Sequence, residues 1–204
     1  LEGPVRINPG WHEAAATFTH EGARHILEGP DHLLFLVCLI LGAGTLGGLV
    51  TSITGFTIGH SVTLIAGGLD LVPQAPWLVP LVETAIALSI LYAAAAIVLR
   101  PARRLTFAVV VAIGLLHGLG FSVALQTLLQ PEARHLVLSL ASFNLGIELA
   151  QLVLAAALWP LLLIVRQQLA GREPIWRGAL ASGAGAVALI WLWQRAPELV
   201  ASLA

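Results

Sequence analysis

Apolar positions in this chain gather into long runs separated by short polar stretches, with few one-sided stripes of the kind seen on soluble helices. Residues 1–19 hold Pro4, Pro9 and Gly10 without a sustained period and read as an irregular extracytoplasmic lead-in. From His20 to Glu28 the pattern suits a short helix lying on a membrane face, stopped by Gly29. Pro30 then opens the first apolar run, in the position where proline favours a helix start, and the run continues to about Ala43. Five more follow, over about 49–68, 77–99, 105–129, 136–165 and 178–193. Runs approaching 20 apolar residues predict transmembrane helices, and no barrel-type alternation is present. The expected fold is an all-α integral membrane protein, a bundle of six transmembrane helices forming one domain over residues 20–204. The first run is short, since fifteen residues cover only about 22 Å of a hydrocarbon core about 30 Å thick. Either the preceding helix dips into the bilayer, or the first two spans share a tight turn through Gly44 to Gly48.

Composition supports a membrane location. Of 204 residues, 58% are hydrophobic and only 10% charged, with a mean hydropathy of +0.90, whereas about a quarter of a soluble domain is charged. All ten basic residues are arginines, dispersed too thinly for a nucleic-acid surface. Arg100, Arg103 and Arg104 follow the third run, and Arg166, Arg172 and Arg177 follow the fifth. The positive-inside rule therefore places both loops in the cytoplasm and both termini outside, as in a multi-pass protein of a bacterial inner membrane. Methionine is absent, even from position 1, so the reading expects a removed leader or an upstream extracytoplasmic domain. Cys38, the one cysteine, lies inside the first run and reads as a small buried hydrophobe.

The candidate chemistry stands out against this apolar background. His60, Glu83, His117 and Glu148 each sit alone on a different run, while His25, Asp31 and His32 lie at the mouth of the first. One buried histidine is ordinarily a packing residue. Four helices that each carry a group costing about 2.5–3.5 kcal/mol to insert point to a shared site. In the expected topology all of these groups fall between the midplane and the outer surface. Thr57, His60, Ser61 and Leu64 recur at helical spacing, as do Asn144, Glu148 and Gln151, so both stripes face inward. Imidazoles and carboxylates without a free thiolate suit a divalent metal such as nickel, cobalt, zinc or iron, and proton relay is the other use of such a cluster. Thr57, Ser61, Asn144 and Gln151 would orient the ligands. His12, His20 and His135 read as solvated. Trp77, Trp159, Trp176, Trp191 and Trp193 read as interfacial anchors.

The ordered set of motifs is informative. It comprises His25 with Asp31-His32, Phe56-Thr57-Ile58-Gly59-His60-Ser61, Val82-Glu83, His117-Gly118 with Gly120-Phe121, and Phe143-Asn144 with Gly146 and Glu148. It resembles the HupE/UreJ group of membrane proteins, in the branch with an extracytoplasmic N-terminal domain, over residues 21–151. His25-x5-Asp31-His32 and Gly59-His60-Ser61 are also similar to nickel/cobalt transporter signatures. The Phe-His-Gly-x-Ala-His-Gly-x-Glu motif of those transporters is missing, and only Leu116-His117-Gly118 stands in its place. The resemblance implies a nickel or cobalt permease, with His25, Asp31 and His32 at the entrance and His60, Glu83, His117 and Glu148 within the membrane. The expected partners are a divalent ion, the lipid bilayer and an upstream domain. The alternative is an intramembrane zinc-dependent hydrolase acting on a lipid or peptide, with Glu83 or Glu148 as general base. A third reading is a metal sensor or chaperone attached to the upstream domain.

Overall fold

The computed structural model describes residues 10–99, 105–128 and 135–203. Regular structure among them is entirely helical: α1 (Trp11–Glu28), α2 (Pro30–Gly42), α3 (Leu46–Gly68), α4 (Leu78–Leu99), α5 (Phe107–Leu128), α6 (Leu136–Gln168) and α7 (Glu173–Leu203). Helices α2 to α7 fall on the six apolar runs in order. The arginines at 100, 103 and 104 and the loop at 130–134 lie outside the described residues.

Four helices, α3, α4, α6 and α7, are long and apolar enough to cross a membrane, and α1 with α2 is so only as a pair bent by 75°, a broken span or a re-entrant loop. α5 is apolar over the shorter stretch Phe107–Ser122. Large apolar side chains point outward around the bundle, among them Val62, Tyr92, Val153, Leu161, Leu189 and Ile190. This is the surface of a multi-pass membrane protein, apolar on the lipid side, with its backbone polar groups satisfied inside helices.

α1 corrects the expected lead-in, because the helix starts at Trp11 and not near residue 20. Its buried face carries Ala14, Gly22 and Ile26, with Phe18 partly buried. Two of these four are too small to register as an apolar period, so the spacing passes unnoticed in the sequence. Small residues also explain where α1 lies. A Cβ on Gly22 would overlap the Phe143 carbonyl, and one on Gly146 would overlap that of Thr19. α1 and α6 therefore cross almost backbone to backbone, and α1 belongs to the bundle instead of resting on its surface.

α3 and α5 meet in the same way. A Cβ on Gly59 would collide with the Val111 carbonyl, one on Gly114 with that of Phe56, and one on Gly118 with that of His60. Thr63 Oγ1 donates across the crossing to the Leu115 carbonyl at 2.9 Å. The helix ends are satisfied locally. Thr45 Oγ1 accepts from the Gly48 N–H at the start of α3. At its end Asp70 takes a left-handed φ of 57°, with Asp70 N–H bonding Gly67 O and Leu71 N–H bonding Ala66 O, a Schellman closure. Arg166 Nη2 caps α2 by donating to the Ala43 carbonyl at 2.9 Å. It also packs over Trp159, so that indole is buried in the core and is no interfacial anchor.

Candidate metal centre

The Gly29-Pro30 bend sets the site. Pro30 occupies the first position of α2 and has no N–H to offer, so α1 ends at Glu28 and the chain restarts in a new direction. His25, in the last turn of α1, and His32, in the first turn of α2, are thereby folded face to face with ring centroids 4.6 Å apart. His60 of α3 completes the group, its ring 5.9 Å from each of the other two. Each of these three residues offers one nitrogen within 4.8 Å of the other two. His117 of α5 lies against His32 at 5.2 Å. It enters because the glycine crossing of α3 and α5 sets His60 and His117 side by side.

The nitrogens themselves point to a ligand. His25 Nε2, both ring nitrogens of His32 and His117 Nε2 are buried without a hydrogen-bond partner among the described residues, and the His60 ring has only the Asn144 side chain beside it. Leaving such a group unsatisfied costs about 1–3 kcal/mol, and native proteins rarely tolerate several in one place. His117 is further defined. Its Nδ1 lies 2.9 Å from the Ile113 carbonyl, which can only accept, so Nδ1 carries the proton and Nε2 keeps a free lone pair. Phe121 and Phe143, stacked at 5.0 Å, line the His25 side. Phe35 and Phe56, both fully buried, pack under His117 at 5.6 and 5.1 Å. These two rings are one helical turn further into the bundle than His32 and His60.

Of the carboxylates expected beside the imidazoles, those of Asp31 and Glu148 have other partners. Asp31 Oδ2 lies 3.1 Å from Arg195 Nη2 of α7. Glu83 meets the same arginine through its backbone carbonyl, at 3.1 Å. Glu148 Oε1 accepts from Thr54 Oγ1 at 2.7 Å and its Oε2 contacts Thr57 Oγ1, which places it on the α3–α6 seam. Gln151 is fully buried beside Thr57. Ser61 bonds its own helix, donating to the Thr57 carbonyl at 2.6 Å. Asn144 Nδ2 donates to the Leu140 carbonyl, and its side chain faces His60. Arg195 has no place in the sequence reading. The signal for it was a lone charge following Trp191-Leu192-Trp193 in an apolar helix, a pattern equally typical of an arginine reaching for the interface.

At the opposite end of the bundle a cavity of about 240 Å³ opens among Cys38, Gly42, Gly48, Ser52, Ile97 and Phe107. Cys38 is a free, buried thiol. Nothing among curated proteins or solved structures matches the chain. A family profile described as HupE / UreJ protein matches residues 2–195.

Proposed function

The chain belongs to the HupE/UreJ family, and from that membership and its converging imidazoles we propose that it is a permease for a divalent transition metal of the nickel/cobalt class. The observation that carries the reading is the set of three nitrogens, from His25, His32 and His60, within 4.8 Å of one another. Three neutral imidazoles form a borderline donor set suited to nickel, cobalt or zinc. Such a set leaves coordination positions open, through which a permease can hand the ion on. His117, with its Nε2 lone pair beside His32, is the next station for the ion. In this reading the helices make six spans with both termini outside, in a bacterial inner membrane. The imidazoles then face the outer side and the cavity beside Cys38 faces the cytoplasm.

The hydrolase alternative needs a general base next to the metal. Of the two candidate bases, Glu148 is engaged with Thr54 and Thr57, and neither it nor Glu83 joins the three histidines among the described residues. The geometry therefore favours the permease. The test is equilibrium titration of the purified chain with Ni²⁺ and Co²⁺, followed by uptake into proteoliposomes. One ion per chain is expected, and His32→Ala or His60→Ala should weaken binding by at least about tenfold. A wild-type chain that binds neither ion, or binds them equally well without His32 and His60, would overturn the proposal.

A further inference from the structure

Arg195 gathers three helices. Its Nη2 lies 3.3 Å and 3.1 Å from the two carboxylate oxygens of Asp31 on α2, and its Nη1 donates to the Glu83 carbonyl of α4 at 3.1 Å. The guanidinium also stacks over Trp191 of its own helix, 5.3 Å from the ring centroid. Both charged side chains are largely shielded, with relative exposures of 21% for Arg195 and 18% for Asp31. An ion pair held this far from water is retained when each charge needs the other, because removing one partner strands the second.

Asp31 adjoins His32 in sequence, so its carboxylate is an anionic group beside the imidazole site. We propose that the pair acts as a neutral clasp: Arg195 withholds the Asp31 carboxylate from the cation, keeping the site one of imidazoles alone, and Asp31 cancels a guanidinium that would otherwise repel a divalent ion. Arg195 is thus a positioning residue that holds affinity down to a level compatible with release. This rests on the metal-site reading above.

The experiment titrates the purified full chain with Ni²⁺ in detergent, comparing wild type with Asp31→Asn, Arg195→Gln and the double variant, each with its melting temperature. Asp31→Asn, which strands the guanidinium, should bind about tenfold more weakly, and Arg195→Gln, which frees the carboxylate, about tenfold more tightly. The double variant removes both charges and should return close to wild type. A double variant as weak as Asp31→Asn makes Asp31 a ligand in its own right and overturns the clasp, as does an Arg195→Gln affinity equal to that of wild type. If Asp31→Asn does not fold, Arg195→Gln and the double variant still decide. If wild type binds no Ni²⁺, the metal reading fails instead, and the clasp is judged on melting temperatures, where the double variant must lose less than the two single losses combined.

Discussion

Gly29 shows how much of the site depends on the smallest side chain. Its backbone, at φ −86° and ψ 98°, is open to any residue, so the requirement is one of space. A Cβ there would stand 2.6 Å from His32 Nδ1 and 2.8 Å from the His25 carbonyl. Gly29→Ala should push the His32 ring away from His25 and His60, lowering Ni²⁺ affinity by about tenfold. Overpacking should also cost about 1–3 kcal/mol of stability. Titration and thermal melting measure the two effects, and unchanged binding would mean that the ring has another low-energy position. At this scale the histidines were legible, because an imidazole in an apolar run announces a cost that something must offset. The same logic marked Asp31, Glu83 and Glu148. The cost of burying a group can be read from one chain segment, but the identity of its partner cannot. Arg195 stands 164 residues from Asp31, and Thr54 stands 94 from Glu148.

At the level of elements, glycine contacts determine which helices touch. His60 and His117 are neighbours because Gly59, Gly114 and Gly118 let α3 and α5 approach until backbone meets backbone. Gly114→Ala or Gly118→Ala should force that crossing apart, lowering the melting temperature and the metal affinity together. Gly183, on α7, has nothing within 4 Å of where a Cβ would stand. Gly183→Ala should therefore leave binding intact and melt no lower, helix propensity contributing up to about 1 kcal/mol in its favour. Thermal melting of the three variants in one detergent checks the contrast. The apolar runs revealed where helices α2 to α7 lie. The pairing of α1 with α6 was hidden, since Gly22 and Gly146 carry no hydropathy signal and the contact joins distant segments.

For the whole molecule the distribution of chemistry is lopsided. The imidazoles and the Arg195 clasp share the end formed by the α1–α2 bend and the C-terminal part of α7, while Cys38 and its cavity occupy the other. The proposed orientation puts the first end outside. Single cysteines placed at Gly10 and Ser202, in a chain with Cys38→Ser, should then react with a membrane-impermeant maleimide in intact cells, and one at Gly171 should not. Labelling of Gly171 alone would invert the orientation. Phe35 and Phe56 acquire a second meaning in this setting. A row of imidazoles reaching into an energised membrane can relay protons, and an unguarded one would discharge the gradient across it. The two phenyl rings beneath His117 have no donor and no acceptor, and both are sealed from solvent. In the proposed permease they would insulate the membrane at its weakest point, and the ion would cross only when the rings swing aside.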